Sequence, residues 1–246
     1  MKKTRADIRL VAQGLVDSRT KAQARILAGQ VFLGDRRIDK SGELIAEDAK
    51  LRVTELDRYC SRGGTKLEGA LTDLGLEVRG LVAVDVGAST GGFTDCLLQR
   101  GAARVYAVDV GRGQLAEKLR QDARVVVMDR TNARHLSAES FPEPIALTVV
   151  DASFISLDKL LPAIAAFMPT GARLLALIKP QFEVGKEEAT RGHGVISDAS
   201  VRAGAVSRVL VDVAKSGFRV LGDCACRLPG PKGNVEHFVL AERVRV

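Results

Sequence analysis

A ten-residue stretch, Val84-Asp85-Val86-Gly87-Ala88-Ser89-Thr90-Gly91-Gly92-Phe93, limits what this chain can fold into more than any other. Leu81 to Val86 is a short apolar run without helical period, which predicts a buried strand. It breaks into Gly87, Gly91 and Gly92, whose missing side chains let backbone approach a ligand closely. From Phe93 to Arg100 the spacing of Phe93, Cys96, Leu97 and Leu98 predicts a helix. Strand, glycine turn and helix N-terminus together make a cradle for a polar or anionic ligand, such as a nucleotide-like cofactor. Two signatures overlap here. Gly87-Ala88-Ser89-Thr90-Gly91 matches the G-x-S-x-G elbow of serine hydrolases, with Ser89 as nucleophile. Gly87, Ser89 and Gly92 also fall on a degraded G-x-G-x-x-G spacing. A P-loop is excluded, because no Gly-Lys-Ser/Thr follows.

The chain beyond this stretch alternates apolar runs with helical patterns. Strands are expected at 104–110, 124–128, 145–150, 172–178, 218–226 and 235–244. Helices are expected from Lys66 to Leu74, from Gly113 to Arg120, from Leu157 to Phe167 with a kink at Pro162, and from Val201 to Ser216. Gly63-Gly64 reads as a break before the first of these. The connection Leu228 to Asn234 is too short for a crossover helix, so the last two strands must be antiparallel. The sum is an α/β, Rossmann-like, doubly wound sheet of seven strands with one reversed edge strand.

Residues 1–58 read as a separate small α+β unit. It has two amphipathic helices, the second capped by Ser18, then a Val31–Leu33 hairpin turning at Gly34-Asp35, and short strands near Leu44-Ile45 and Lys50–Val53. Thirteen Lys/Arg face nine Asp/Glu there, so placement matters more than count. Arg19, Lys21 and Arg25 fall on the second helix and Arg36 and Arg37 on the hairpin, a set that could meet phosphates or simply be solvated. Whole-chain charge of +7 favours a polyanionic partner. Cys60, Cys96, Cys224 and Cys226 make no C-x-x-C and read as reduced, which with no apolar leader and no membrane-length run predicts a cytoplasmic protein.

Ligands of open α/β sheets sit at the carboxyl ends of the strands. The Gly87–Gly92 loop, Asp109, Asp129, Asp151 and Lys179 are placed there. Asp109 follows Gly87 by the interval at which an acid accepts from a cofactor ribose, and this suits both NAD and S-adenosylmethionine. Asp129 or Asn132 could hold an adenine amino group. Lys179 ends the apolar strand Leu174–Ile178, where loss of hydration favours its neutral, proton-accepting form, and Asp151 could pair with it.

Two resemblances add to this reading. Leu15-Val16-Asp17-Ser18-Arg19-Thr20-Lys21-Ala22-Gln23-Ala24, with Ile26, Gly29, Val31 and Asp39-Lys40, resembles the S-four-like RNA-binding module of a small-subunit ribosomal protein. That implies RNA contact by Arg5, Arg19, Lys21, Arg25, Arg36 and Arg37, with Arg62 added from a linker at 59–65. Blocks starting at Ser61, Asp85, Asp109, Val150, Ile178 and Gly233 resemble, in order, the TlyA/haemolysin-A family, whose members carry an FtsJ-type methyltransferase domain, here residues 66–246. The resemblance implies transfer of methyl from S-adenosylmethionine to a ribose 2′-hydroxyl of rRNA within ribosomal subunits, at cytidine, without a metal. It implies a catalytic Lys66, Asp151, Lys179 and Glu236, and a cofactor site of Asp85, Gly87, Ala88, Ser89, Thr90, Gly91, Gly92, Phe93, Asp109, Asp129, Asn132 and Asp151. Lys179 would take the hydroxyl proton, Asp151 and Glu236 would orient the lysines, and Lys66 would position the ribose or a phosphate. The competing readings are a serine hydrolase using Ser89 with His193 or His237, and a membrane-active protein, which only the family's historical name suggests.

Overall fold

The computed structural model describes residues 2–54, 58–185, 194–230 and 233–245. The chain divides into two compact units, Met1–Asp57 and Arg58–Val246.

In the first unit, α1 (Ala6–Ala12) and α2 (Arg19–Leu27) cover two small sheets. One pairs β1 (Lys3–Arg5) with β4 (Leu44–Ala46); the other orders β3 (Arg36–Arg37), β2 (Val31–Leu33) and β5 (Leu51–Val53), all antiparallel. The amphipathic pattern closes on Ala6, Leu10, Ala22, Ile26, Val31, Ile38, Ile45 and Leu51. Ser18 caps α2, its hydroxyl accepting from Lys21 N at 3.3 Å. The strand β1 was not expected, because Lys3-Thr4-Arg5 carries no apolar signal.

Asp7 is the polar keystone of this unit. Its side chain is fully buried and accepts from Arg5 Nε and Nη2 at 3.0 Å, Gln23 Nε2 at 3.1 Å, Arg19 Nη2 at 3.2 Å and Ile8 N at 2.9 Å. The Arg5 fork, above all, holds its carboxyl far below the usual aspartate range. A depressed folded value means the stabilisation is complete above the ordinary aspartate value of about 4 and fades as pH falls below it. Hydrogen exchange of the α1 and α2 amides should therefore accelerate as pH is lowered from about 4 to 2, after correction for intrinsic rates. Asp7→Asn should exchange faster already at neutral pH and lose that dependence.

The second unit is a seven-stranded sheet. Its strands are β6 (Val82–Val86), β7 (Arg104–Val108), β8 (Val125–Met128), β9 (Leu147–Val150), β10 (Arg173–Ile178), β11 (Phe218–Ala225) and β12 (His237–Arg243), in the order β11-β12-β10-β9-β6-β7-β8. β12 runs antiparallel to both β10 and β11, and the other strands are mutually parallel. The reversed strand is therefore second from the edge, not the edge strand expected. The β11–β12 hairpin folds inward, placing its second strand on β10 and leaving β11 outside.

Helices cover both faces: α3 (Arg62–Asp73), α4 (Gly92–Gln99) and α5 (Glu117–Arg120) on one, α6 (Leu161–Phe167) and α8 (Ala199–Lys215) on the other, with α7 (Pro180–Glu183) following β10. Alternate strand residues point into separate cores, Val84, Val86, Leu174, Ala176 and Ile178 into one and Ala83, Leu175 and Leu177 into the other. That two-sided burial is why the strands read as unbroken apolar runs.

Three helix expectations are corrected. α3 begins at Arg62, so Gly63 and Gly64 lie in its first turn rather than breaking the chain. A side chain on Gly64 would collide with Tyr59, and one on Gly92 with Ser61 and the Gly64 amide. Close contact between the starts of α3 and α4 thus overrides the low helix propensity of glycine. Pro162 lies in the first turn of α6, after a separate 3₁₀ turn at Leu157–Lys159, and kinks nothing. The expected helix at 113–120 is reduced to α5, since Gly111 to Gln114 wrap the Asp109 and Ser89 loops.

Candidate active site

The chain runs β6, β7, β8 toward one edge and then returns to β9 on the other side of β6. The strand order reverses there, and the carboxyl ends of β6 and β9 open a crevice. Two adjoining cavities occupy it, of about 200 and 480 Å³, sharing Gly87, Ser89 and Asp151 as walls. The larger lies within the ~300–1,000 Å³ typical of small-molecule sites.

The glycine loop forms the floor. Gly87 has φ +86°, and a Cβ there would lie 2.7 Å from the Asp151 carbonyl oxygen. Ser89 is held at φ +48°, its amide donating to Asp109 Oδ2 at 2.8 Å and its hydroxyl bonding Gln114 Oε1 at 3.2 Å. The other Asp109 oxygen accepts from Gly111 N at 2.7 Å. Gly87, Ala88, Ser89, Thr90, Gly92 and Phe93 line the smaller cavity with Lys66, Arg62 and Asp151. Asp109, Asn132, Arg134, Val108, Val110, Ser153, Phe154 and Ile155 line the larger.

Three expected cofactor residues do not reach these walls. Asp85 is completely buried beneath α4, where its Oδ2 accepts from Thr94 N at 2.9 Å and Thr94 Oγ1 at 2.7 Å. It shares the α3–α4 face of β6 with Ala83, so strand alternation turns it away from the crevice. Burial pushes its carboxyl up to about 7, against the Thr94 hydrogen bonds that favour the charge. Gly91 caps α4 at φ +94°, pressed against Leu115 and Leu119. Asp129 accepts from Gly113 N at 3.0 Å and Arg120 Nη1 at 3.3 Å, which braces the neighbouring loop.

The four residues expected to carry the chemistry meet in two pairs. Lys66 Nζ lies 2.5 Å from Glu236 Oε2, with Lys66 7% exposed and Glu236 wholly buried. Lys179, 8% exposed, sits at the end of β10 with Nζ 2.5 Å from Asp151 Oδ1 and 2.9 Å from Ser153 Oγ. The Asp151 contact is an ion pair whose angle lies outside hydrogen-bonding geometry, whereas the Ser153 contact is an aligned hydrogen bond. Lys66 and Asp151 line the smaller cavity directly; Glu236 and Lys179 stand behind them. Breaking the Lys66–Glu236 pair from one side leaves a buried charge, so Glu236→Ala should cost about 3–5 kcal/mol in denaturant unfolding. Lys66→Met with Glu236→Leu should recover most of that.

Segment 58–60 belongs to this unit. Tyr59 donates to Glu68 at 2.8 Å, and Cys60 N to Asp95 at 2.8 Å. The Arg100 fork holds the Glu68 carboxyl down to about 2. Arg62 reaches the Pro229 carbonyl at 3.0 Å beside the smaller cavity.

Sequence reasoning assigned no role to Gln114, Ser153 or Phe154. Phe154 is 92% exposed at φ +64°, with its ring 5.3 Å from that of Phe182. An aromatic residue two or three positions past a strand-end aspartate was the available signal. The hydrolase arrangement does not form among the described residues. Ser89 bonds Gln114, and His237 pairs with Asp223 at 2.5 Å; His193 lies outside the described residues. In the first unit the expected RNA-facing cations each have a partner: Arg5 and Arg19 on Asp7, Lys21 on Asp17, Arg25 on Gln30, Arg36 on Glu43 and Arg37 on Asp39.

Comparison with known proteins accounts for this arrangement. The FtsJ-like methyltransferase family matches residues 59–243. The Mycobacterium tuberculosis protein named 16S/23S rRNA (cytidine-2′-O)-methyltransferase TlyA is 45% identical over 97% of this chain and 89% of its own length. Hemolysin A of Brachyspira hyodysenteriae is 38% identical over 96% of this chain and all of its own. A solved Streptococcus thermophilus structure that carries hemolysin in its name superposes with TM-score 0.76 at 41% identity, covering 99% of this chain and 90% of that one. With the sheet order, the glycine-floored crevice and these relatives in hand, the chain belongs to the FtsJ-like methyltransferase family, in the full-length group that includes TlyA and hemolysin A.

Proposed function

We propose that this protein transfers a methyl group from S-adenosylmethionine to a ribose 2′-hydroxyl of rRNA, at cytidine in small- and/or large-subunit rRNA within ribosomal subunits, in the cytoplasm. The observation that carries the reading is a pair of ion pairs, Lys66–Glu236 and Lys179–Asp151, of which Lys66 and Asp151 line the same cavity. Two lysines, each held by a carboxylate, stand at the end of a crevice floored by glycine backbone, Lys66 in its wall and Lys179 directly behind Asp151.

The crevice suits the cofactor. Gly87 leaves open a space that a Cβ would fill, between the two strand ends. Asp151 Oδ1 is buried there with no aligned donor. Asp109 would accept from ribose hydroxyls, Asn132 lies where it can bond adenine, and Val110, 72% exposed, offers the base an apolar surface. Residues 87–90, Gly92, Phe93 and Asp151 would hold the methionine portion. When bound, S-adenosylmethionine supplies an electrophilic methyl on a sulfur that keeps the bonding pair as the methyl leaves. This chain's contribution is then alignment and proton handling. Lys179 accepts the 2′-hydroxyl proton. Asp151 offsets the charge that this creates on Lys179. Glu236 holds Lys66 toward the cavity, where its ammonium positions the ribose or the adjoining phosphate.

RNA docking falls to the first unit, and Arg62, at the start of α3, adds a cation to the wall of the smaller cavity. The hydrolase and the methyltransferase readings part at Ser89. Ser89→Ala should keep methyl transfer within about tenfold and weaken cofactor binding by roughly 1 kcal/mol, since one loop hydrogen bond is lost. Complete loss of activity with normal cofactor binding would favour a nucleophilic Ser89. A membrane-active role finds no support in the helices: among the described residues none is long and apolar enough to cross a membrane.

A further inference from the structure

We propose that Ser153 is a positioning residue for Lys179, fixing the direction of its Nζ at the crevice wall; this rests on the reading of Lys179 as the proton acceptor. Among the described residues, Lys179 makes one aligned side-chain hydrogen bond, and it is to Ser153 Oγ at 2.9 Å. Asp151 lies closer, at 2.5 Å, but off the hydrogen-bonding direction. The two contacts therefore do different things. Asp151 supplies charge, which attracts Nζ without setting its orientation. Ser153 supplies direction, because a hydrogen bond weakens steeply once its angle is lost.

Direction matters because of the geometry of an amine. Neutral Nζ is tetrahedral, with Cε, two hydrogens and one lone pair. If one N–H is held by Ser153, the lone pair can sweep only a restricted arc. Both Asp151 and Ser153 line the crevice, so that arc is anchored to its wall, while Lys179 itself stands behind. In the step that follows, the 2′-hydroxyl O–H bond breaks and its proton passes to the Nζ lone pair. The oxygen pair so released forms the bond to the methyl carbon as the carbon–sulfur bond breaks toward sulfur. A misdirected lone pair slows this step without weakening binding of either substrate.

The fold holds Ser153 in place from both sides. One residue on, Phe154 is kept at φ +64°, a conformation that costs a non-glycine residue, and its ring packs on Phe182. Three residues on, Ser156 Oγ meets Glu183 Oε2 at 2.5 Å, and Leu157 N donates to Glu183 Oε1 at 2.9 Å. Glu183 and Phe182 lie on α7, which starts directly after Lys179. The loop from 151 to 157 and the turn from 179 to 183 are thus joined through Lys179, Phe182 and Glu183, and the Lys179 contacts are the ones at the crevice wall.

The test uses the full-length protein with unmodified ribosomal subunits and S-adenosylmethionine, and compares wild type with Ser153→Ala, Ser153→Thr and Lys179→Ala. Single-turnover methyl transfer, cofactor binding and KM for subunits are measured for each. Ser153→Ala should lower the rate about 10- to 100-fold, with KM and cofactor affinity within about twofold of wild type. Ser153→Thr, which keeps the hydroxyl, should recover most of the rate. Wild-type turnover in Ser153→Ala, equal loss in Ser153→Ala and Ser153→Thr, or a change confined to KM would each overturn the proposal. If Lys179→Ala itself retains full transfer, the failure belongs to the proton-acceptor reading and not to Ser153.

Discussion

Replacing Lys179 with Met is expected to reduce methyl transfer by about 10²–10⁴-fold while leaving S-adenosylmethionine affinity nearly unchanged. Methionine keeps the packing volume of the lysine stem and removes only the amine. Lys179 contacts Asp151 and Ser153 but lines neither cavity, so its loss does not strip a wall from the cofactor site. The separation of the two readouts is what gives the experiment its force. A residue that held the cofactor would lose binding first. A residue that only braced the fold would show reduced thermal stability in step with reduced rate. Rate lost at constant affinity, and by far more than any loss of stability from unpairing Asp151 explains, marks a group acting on the reacting hydroxyl. Full rate in Lys179→Met would remove the proton acceptor from the mechanism.

The second large effect belongs to Gly87. Gly87→Ala should lower cofactor affinity by roughly 100-fold or more, equivalent to about 2.7 kcal/mol. Its φ of +86° already disfavours any side chain, by ~1–2 kcal/mol. The added Cβ would in addition lie 2.7 Å from the Asp151 carbonyl oxygen, 3.1 Å from its carbonyl carbon and 3.3 Å from Ala152 Cα. All three are backbone atoms at the end of β9, so no side chain can rotate aside. The ends of β6 and β9 must separate, and Asp151 moves with them. Gly75→Ala is the matched control: φ is +61° there, and nothing lies within 4 Å of the added carbon. It should show the strain alone in thermal unfolding and leave cofactor titration unchanged.

The parallel strands were legible because both faces of the sheet are buried, which writes each strand as a continuous apolar run. Glycine and proline misled where tertiary contact overrode local preference. Gly63 and Gly64 signalled a break, yet they are the small residues that let α3 approach Tyr59 and α4. β1 was invisible because its polar side chains carry no pattern; its pairing with β4 defines it. The place of the reversed strand depends on which side of β10 the last hairpin folds, and no local residue encodes that.

In the site, the strand-end rule located Asp109, Asp151 and Lys179, since position along a strand fixes which end a residue occupies. It could not distinguish lining residues from supporting ones. Asp85 and Asp129 sit at or near strand ends, but one points under α4 and the other braces a loop. Ser153 was overlooked for the opposite reason. A lone serine in a loop carries no signature, and its meeting with Lys179 depends on Glu183 holding two distant loops together.

The central claim is that this crevice methylates a ribose hydroxyl rather than a base. Its most direct test is mass spectrometry of nucleosides from unmodified ribosomal subunits incubated with the purified protein and S-adenosylmethionine carrying an isotopically labelled methyl group. The mechanism predicts the label in 2′-O-methylcytidine, resistant to alkaline cleavage at its 3′ side, and its absence with Lys179→Met. Label on a nucleobase, or label in ribose that persists undiminished in Lys179→Met, would contradict it.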